Sequence, residues 1–467
     1  MSNVYVVETA INKFGKYPDK SEKDLTAEAF LPCLKGSALD KKDIEAIWFA
    51  NSGWGTHGLQ TCIRGQVALR PLGIDAIPII NVENACASGS TAFNQAYLAV
   101  KSGEFDIAMA VGMEKMSGSG KFRTYATMVG GMDVGNLDKT LKTLTDFAMT
   151  DADKASLEAH LRKYPPNGYH PAVKKDTANP VMKMLQTAKD VVTTSITLTE
   201  SMGFDTVRDL AKSFSGEHSP WMDIYGYLAR KHMAKYGSTI EELAAIASKN
   251  HYHASLNGQA QYTNRMTADE VLRDRMVSWP ITRSMCAPIG DGAAVAILMS
   301  EKAVKKAGLM SRAVKVRASL LGSGMAVPRI PITERLSKKA YEIAGIGPDD
   351  ISLAEVHDAT AFGELHQSEA LGFCAHGEGG KYAQSGATRL GGARPLNTSG
   401  GLECKGHPIG ATGLAMIHEV VQQLQGRSGA RQVANARFGL TQNGGGALGV
   451  EEAAMGLNIF EKPEQEK

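Results

Sequence analysis

A cysteine flanked by small residues is the first candidate for chemistry in this chain. Cys86 lies in the segment NACASGS (residues 84–90), between the apolar, strand-like run Ile77–Val82 and the helix-like run Thr91–Lys101. A thiol at a strand-to-helix turn lies near free backbone N–H groups and the positive end of a helix dipole, which favour the thiolate. The alternative interpretation is a buried cysteine that serves only as a small hydrophobic residue.

Two histidines in the second half of the chain supply candidate bases. His357 follows the strand-like run Ser352–Val356, and His407 lies in a glycine-rich loop, residues 400–410. A third turn, NGGG (residues 443–446), can offer bare backbone N–H groups to a developing oxyanion. Each histidine alone is compatible with a structural role. If the turns converge, however, the cysteine and the histidines form a nucleophile, a base and a set of donors.

An internal duplication predicts how these turns come together. Three segments of the first half recur in the same order in the second half at an offset of ~300 residues. The acidic turn and strand at 40–50 match 347–356, the Cys86 unit matches 397–426, and the glycine turn and strand at 290–299 match 442–450. Two similar α/β halves would place matching turns side by side at a pseudo-twofold axis, and active sites in such sheets lie beyond the strand ends.

Composition narrows the class of protein. A chain of 467 residues, 43% hydrophobic and 21% charged, is expected to form two or three globular domains. A net charge of +2 gives no indication of a nucleic-acid surface. The six cysteines are scattered without a CxxC pair, which argues against a disulfide scaffold or a zinc site and favours a reducing compartment. Since no apolar run approaches the ~20 residues of a membrane span, we expect a cytoplasmic protein that binds neither membranes nor nucleic acid.

Four ordered motifs resemble those of the thiolase superfamily. NACASG (84–89) resembles the nucleophile motif of that family, and VGMEKMS (111–117) the segment that follows it. GHPIGATG (406–413) resembles the histidine loop of the family, and NGGG (443–446) its last glycine turn. The pair His357-Asp358 is similar to the sterol-carrier-protein-type, or lipid-transfer, subgroup, which carries His-Asp where other thiolases carry Asn-Glu.

The resemblance implies a fold and a chemistry. The fold would be α/β, a duplicated five-layered αβαβα arrangement with an inserted loop domain. The N-terminal half would comprise residues 1–117 and 221–303, the loop domain residues 118–220, and the C-terminal half residues 304–467. Members are homodimers or tetramers, take acyl-CoA and coenzyme A as substrates and use no metal.

The resemblance also implies roles for individual residues. Cys86 would accept the acyl group, and His407 would activate Cys86. His407 and His357 would hold the thioester oxygen of the second, enolate-forming substrate. The backbone N–H groups of Cys86 and Gly444 would form the oxyanion hole of the acyl-enzyme.

One departure from the family pattern concerns proton transfer. Thiolases generally carry a second cysteine as acid/base, at a position that here holds Gln442 or at another that here holds Ala359. Neither side chain can transfer a proton, yet the Claisen step requires a group that removes and returns the α-proton. The candidates are His357, oriented by Asp358, and Cys404, for which a structural loop role is the alternative.

Three functions follow from these observations. The first is a thiolase-type acyltransferase that forms or cleaves a 3-oxoacyl-CoA, aromatic or branched substrates included, through an acyl group on Cys86. The second is a relative without the Claisen step, an acyltransferase or a retro-aldolase subunit that works with a small zinc-ribbon/OB-fold partner. The third is an inactive scaffold or lipid-binding subunit, against which the retention of Cys86, His357 and His407 argues.

Overall fold

The computed structural model describes residues 2–118, 120–134, 149–166, 220–325, 330–449 and 451–463. The strands are β1 (Val4–Ile11), β2 (Ala46–Ala50), β3 (Ile79–Val82), β4 (Ile107–Glu114), β5 (Met276–Ser278), β6 (Ile281–Thr282), β7 (Gly292–Ser300), β8 (Val314–Ser323), β9 (Ile351–Val356), β10 (Phe438–Leu448) and β11 (Glu451–Glu461). The helices of the first half and the region after it are α1 (Glu22–Ser37), α2 (Trp54–Gly58), α3 (Arg64–Leu69), α4 (Ser88–Ser102), α5 (Gly120–Val129), α6 (Asp151–Lys163), α7 (Pro220–Tyr236), α8 (Ile240–Ser255) and α9 (Ala268–Leu272). The remaining helices are α10 (Glu301–Ala307), α11 (Ile332–Ala344), α12 (Ala361–Ala370), α13 (Gly379–Gln384), α14 (Gly401–Lys405) and α15 (Thr412–Leu424).

The duplication is visible in the sheet. The first half contributes strands in the order β3-β2-β4-β7-β1, and the second half contributes β9-β10-β11-β8. In both halves two antiparallel pairings are followed by a parallel one: β1–β7, β7–β4 and β4–β2 correspond to β8–β11, β11–β10 and β10–β9. The parallel bridge between Ala354 and Leu396 takes the place of the β2–β3 pairing. The predicted repeat of two α/β halves is therefore present.

One of the three predicted segment matches is wrong in register. Residues 442–450 do not correspond to the strand after Gly290, since most of them belong to β10, the counterpart of β4. The counterpart of β7 is β11, which begins after the NGGG turn and the hairpin at Gly449. The two glycine-rich turns resemble each other in sequence but lie at different ends of their strands.

Five layers, alternately helices and half-sheets, pack against each other through three hydrophobic cores. Helices α4 and α15 form the central layer, where side chains such as Phe93, Tyr97, Leu414 and Val420 are buried between the two half-sheets. Helix α1 covers the outer face of the first half-sheet, and α11 covers the outer face of the second. The predicted α/β class and αβαβα arrangement are confirmed, with one addition: a short β1–β8 pairing joins the half-sheets into one sheet of nine strands among the described residues.

The division into domains stays a prediction. The boundary at residue 303 lies in α10, between β7 and β8. Of the proposed loop domain, 118–220, only α5, α6 and a few flanking residues are described, and the rest lies outside the described residues. Within the described part of the chain, no helix is long and apolar enough to cross a membrane.

Candidate active site

The turn that carries Cys86 is held in an unusual backbone conformation. Ala85 has φ = +48°, in the left-handed region that non-glycine residues rarely adopt. The Ser88 side chain stabilises the turn, because its hydroxyl donates to the Ala85 carbonyl at 2.6 Å and accepts the Asn84 N–H at 2.8 Å. Cys86 therefore precedes α4 in a strained, over-determined turn of the kind that accumulates at functional sites.

His407 contacts the Cys86 thiol. Its Nε2 lies 3.2 Å from the Cys86 Sγ, and its Nδ1 lies 2.8 Å from the hydroxyl of Thr412. That hydroxyl donates its own proton to the Pro408 carbonyl at 2.9 Å, so it accepts from the ring. The proton of the imidazole consequently lies on Nδ1, and the lone pair of Nε2 faces the thiol, as a general base requires.

Both members of this pair are neutral at rest. Burial, and secondarily the charge of Glu114, raises the pKa of Cys86 to about 12, against the opposing effect of the backbone N–H groups of Cys86 and Gly446. Burial and then the neighbouring His357 hold the pKa of His407 well below its usual value. The expectation that the helix end favours a resting thiolate is therefore wrong, because burial costs the charged form more than the helix end returns. For Cys86 to act as a nucleophile, its thiol would have to give its proton to His407 as substrate arrives.

His357 presents the opposite tautomer. The Asn443 side-chain amide donates to Nδ1 of His357 at 3.0 Å, and its carbonyl oxygen accepts from the Ser90 hydroxyl at 2.8 Å. Since Nδ1 accepts, the ring proton lies on Nε2, as a donor. Burial lowers the pKa of His357 to about 4, which keeps the ring neutral. The rings of His357 and His407 meet edge to face, with centroids 5.3 Å apart, so one site holds an acceptor and a donor imidazole.

The glycine-rich segment 443–446, which the sequence predicted as a turn, lies in β10, where it pairs with β11. Gly444 and Gly446 both line the same cavity as Cys86. The backbone N–H of Gly446 is close enough to Cys86 to lower the pKa of its thiol. The predicted oxyanion role of Gly444 stays a prediction, and Gly446 is an additional donor that the motif alone did not single out.

The structure does not bring Asp358 or Cys404 to the cavity. The Asp358 carboxylate accepts from the backbone N–H of Leu402 at 2.7 Å and from the Asn250 amide at 3.1 Å. It thus holds the start of α14, and the ring nitrogen of His357 is oriented by Asn443 instead. Cys404 is fully buried against Ala254 and Ala260, and burial holds its pKa well above the usual value. Asp358 directly follows His357, and Cys404 precedes His407 by three residues, yet neither of the two side chains lines the cavity.

A buried carboxyl to which the sequence motifs assign no role links the two halves. Glu114, at the end of β4, accepts from the Asn51 amide at 2.8 Å and from the backbone N–H of Gly53 at 3.0 Å. It also accepts from the backbone N–H of Gly410 in the histidine loop, at 3.2 Å. Burial is the main cause that raises its pKa to about 7. Its place inside the motif at 111–117 is the signal in the sequence that could have found it.

The reacting groups open into one large cavity of about 930 Å³. The thiol of Cys86 and one nitrogen each of His357 and His407 lie within 4.8 Å of one another at its wall. Apolar side chains from α7 and from the loop before β7 form much of the lining. Five cationic side chains also line the cavity: Lys16, Lys231, Lys235, Arg275 and Arg283.

Comparison with known proteins identifies the family. The thiolase N-terminal domain model matches residues 4–160, and the model of the thiolase C-terminal domain-like family matches residues 326–455. Over 456 residues the chain is 31% identical to an acetyl-CoA acetyltransferase of Methanothermobacter thermautotrophicus, covering 96% of this chain and 98% of that protein. The chain belongs to the thiolase family. Its relatives establish it as an acyltransferase of this family.

Further relatives confirm the predicted resemblance to the lipid-transfer thiolases. Human sterol carrier protein 2 is 32% identical over 481 residues, covering 98% of this thiolase and 73% of that protein. Among solved structures, the Ltp2-ChsH2(DUF35) aldolase matches with a TM-score of 0.68 at 18% identity, covering 99% of this thiolase and 98% of that chain. At that identity the structural likeness supports the fold.

Proposed function

We propose that this thiolase forms or cleaves a 3-oxoacyl-CoA through an acyl thioester on Cys86. The observation that carries the proposal is the contact of 3.2 Å between the Cys86 Sγ and the His407 Nε2, with His357 beside them in an open cavity. A thiol paired with an imidazole of the right tautomer is an activated nucleophile.

Acyl transfer would exchange the thioester of coenzyme A for a thioester on Cys86. His407 takes the thiol proton through Nε2, and the Cys86 sulfur attacks the acyl-CoA carbonyl. Backbone N–H groups at the turns of Cys86 and Gly444 receive the oxyanion, with the N–H of Gly446 near the sulfur. The carbon–sulfur bond to coenzyme A then breaks, and the leaving thiolate takes the proton back from His407.

Carbon–carbon bond formation would use the donor imidazole. The Nε2–H of His357 is positioned to donate to the thioester oxygen of a second acyl-CoA, where negative charge develops as the enolate forms. The enolate carbon then attacks the acyl group on Cys86 and releases the sulfur. Thiolysis is the same path in reverse.

The cavity supports a bulky substrate bound as its coenzyme A ester. A volume of about 930 Å³ exceeds what an acetyl group alone requires, so aromatic or branched acyl groups are included in the proposal. Lysines and arginines at the cavity wall suit the phosphates of coenzyme A. A homodimer or tetramer in the cytoplasm and a reaction without metal remain part of the proposal. Metal analysis of the purified protein tests the absence of a metal, since the thiol and the two imidazoles offer three possible ligand atoms.

Intact-mass measurement tests the acyl-enzyme. After incubation with acetyl-CoA, benzoyl-CoA and succinyl-CoA in turn, at least one should leave an acyl adduct on the wild-type protein. Cys86→Ala should abolish the adduct, whereas Cys62→Ala, which removes an exposed thiol, should retain it. An adduct that survives Cys86→Ala, or no adduct with any of the three esters, would contradict the proposal.

A second candidate is a retro-aldolase that works with a small zinc-ribbon/OB-fold partner. It is favoured by the side chains at the two positions of the second cysteine: Gln442 is buried and accepts the backbone N–H of His357 at 2.9 Å, and Ala359 lines the cavity. The Ltp2-ChsH2(DUF35) protein, which shares this fold, is an aldolase by name. Cleavage of a 3-hydroxyacyl-CoA without added coenzyme A, together with copurification of a small subunit, would establish this candidate instead.

A further inference from the structure

A carboxyl group that no motif predicted lines the catalytic cavity. Glu452 lies near the start of β11, in register with Ala447 of β10 and just beyond the hairpin at Gly449. It lines the same cavity as Cys86, His357 and His407. An acidic side chain in a mostly apolar cavity requires a reason, because burial of a carboxylate costs free energy.

The Glu452 carboxyl occupies the space above the last glycine turn. A Cβ atom on Gly444 would overlap the Oε1 of Glu452, so only a glycine leaves room for this oxygen. The same oxygen accepts from the Gln367 amide at 3.4 Å. Gln442, which stands where thiolases carry a second cysteine, is close enough to Glu452 to lower the pKa of its carboxyl. The carboxyl is therefore adjacent to the position of the missing thiol.

The carboxyl and the nucleophile face a common neighbour. Tyr225, on α7, lines the cavity, and burial followed by the charges of Glu452 and Cys86 raises the pKa of its hydroxyl. Tyr225, Glu452 and Cys86 all line this one cavity. The groups that face Glu452 are thus Glu451 on its own strand, Gln442 on β10, Gln367 on α12 and Tyr225 on α7.

The pKa of the Glu452 carboxyl suits proton transfer. Burial, and secondarily the charge of Glu451, raises its pKa to about 7. Both the acid and its carboxylate are then populated near neutral pH, which is the condition for efficient general acid–base catalysis. The other carboxyls that line the cavity have structural partners. Glu451 accepts from the backbone N–H groups of Met325 at 2.8 Å and Ile332 at 3.1 Å, and Glu83 accepts from the backbone N–H of Ala85 and the Ser52 hydroxyl.

We propose that Glu452 carries the α-proton of the enolate-forming acyl-CoA in place of the second cysteine of the family. The proposal rests on the proposed function. In synthesis the Glu452 carboxylate takes a proton from the α-carbon. The C–H bond breaks, and its electron pair forms the enolate, whose oxygen His357 holds. In thiolysis the Glu452 carboxylic acid returns the proton to the α-carbon of the departing enolate.

Another thiol at the cavity does not fill this role. Cys286 lines the cavity, but its S–H donates to the Thr282 carbonyl at 3.3 Å, and burial raises its pKa to about 12. A proton held by a backbone carbonyl and bound that tightly is poorly suited to exchange with a carbon acid.

Two separate measurements on the full chain test the proposal. The first follows deuterium uptake at the α-carbon of acetyl-CoA, propionyl-CoA and succinyl-CoA in D₂O, by mass spectrometry. The second follows the acyl adduct on Cys86 by intact mass. Glu452→Gln should lower deuterium uptake by about 10²–10⁴-fold while the acyl adduct still forms, because only the proton-transfer step uses the carboxyl.

Matched variants separate this proposal from the proposed function. Glu451→Gln and Cys286→Ala should both retain deuterium uptake. Uptake that is equal in wild type and Glu452→Gln would overturn the role of Glu452 and leave the acyl-enzyme standing. Loss of uptake in Cys286→Ala alone would assign the proton to that thiol and overturn the proposal as well. Absence of both adduct and uptake in the wild type would instead remove the proposed function itself.

Discussion

The side-chain amide of Asn443 donates a hydrogen bond of 3.0 Å to Nδ1 of His357, and this contact decides which nitrogen of the imidazole carries the proton. The Ser90 hydroxyl donates to the oxygen of the same amide, which agrees with this orientation. The two imidazoles of the site thereby differ in tautomer: His407 presents a lone pair to the thiol, and His357 presents an N–H to the cavity. Asn443 thus fixes the tautomer of His357, and Thr412 fixes that of His407.

Replacement of Asn443 by aspartate should reverse the tautomer of His357. A carboxylate accepts where the amide donated, so Nδ1 would carry the proton and Nε2 would lose its donor function. We expect deuterium uptake at the α-carbon of acetyl-CoA to fall by about 10²–10³-fold, the usual cost of one oxyanion donor. The acyl adduct on Cys86 should still form.

A control variant tests the specificity of that effect. Ser90→Ala removes the hydrogen bond to the Asn443 oxygen but keeps the amide, so it should retain most of the deuterium uptake. Equal losses in Ser90→Ala and Asn443→Asp would show that the tautomer is not the cause.

Removal of the Thr412 hydroxyl should slow acylation. Thr412→Val keeps the volume of the side chain but leaves Nδ1 of His407 without its acceptor, so the ring is no longer held with its lone pair towards Cys86. A lost hydrogen bond of about 1 kcal/mol corresponds to about a fivefold lower rate. The rate of adduct formation, followed by rapid-quench mass spectrometry, measures this effect. Thr412→Ser, which keeps the hydroxyl, should restore the rate, and a slow serine variant would contradict the assignment.

Addition of a methyl group at Gly112 should disturb the packing between the two halves at this position. A Cβ atom there would overlap the Gly410 carbonyl oxygen of the histidine loop. We expect Gly112→Ala to lower the free energy of unfolding by about 1–3 kcal/mol, as overpacking does. Thermal unfolding followed by circular dichroism would detect the lower midpoint. Gly258→Ala, where the new methyl group would meet nothing within 4 Å, should leave the midpoint in place.

The buried Glu114 should make stability depend on pH. Its folded-state pKa of about 7 lies above the ordinary glutamate value of 4.5, so the folded protein binds more protons than the unfolded chain between these values. The stability it contributes is present below about pH 4.5 and is lost as pH rises through about 7. The shift corresponds to about 3 kcal/mol.

A neutral replacement at position 114 should remove this dependence. Denaturant unfolding of Glu114→Gln between pH 5 and 8 should show a smaller fall in the free energy of unfolding than wild type shows. The comparison concerns the slope with pH, because the loss of hydrogen bonds from Gly53 and Gly410 lowers stability at every pH. Parallel slopes would contradict the role of Glu114.

The sequence predicted the positions of those site residues that follow strand ends in the repeated fold. Cys86, His357 and His407 follow from the duplication and the family motifs, because parallel strands of two similar halves bring equivalent turns together. Asp358 and Cys404 do not reach the cavity, because adjacency along the chain does not imply adjacency in space. Asp358 instead holds the start of α14, and Cys404 packs against Ala254 and Ala260.

Other residues carried no sequence signal for their role. Glu452 comes to the cavity through a hairpin that doubles back beyond the glycine turn, a contact that periodicity does not reveal. Asn443 was visible in the sequence, yet its effect on the tautomer of His357 depends on a contact between residues 86 positions apart in the chain. The helix-dipole argument predicts a lowered pKa for the Cys86 thiol, but its pKa is raised. The cost of burial exceeds a dipole effect that acts over one turn.

The division of the site between the two halves also governs when the thiol becomes reactive. The nucleophile and its base are 321 residues apart in the chain, on opposite sides of the duplication. A nascent polypeptide therefore carries Cys86 on the ribosome long before His407 has been synthesised. In the proposed mechanism, acylation has to wait until the loop of His407 has docked against Cys86, so an incomplete or truncated chain would not consume acyl thioesters.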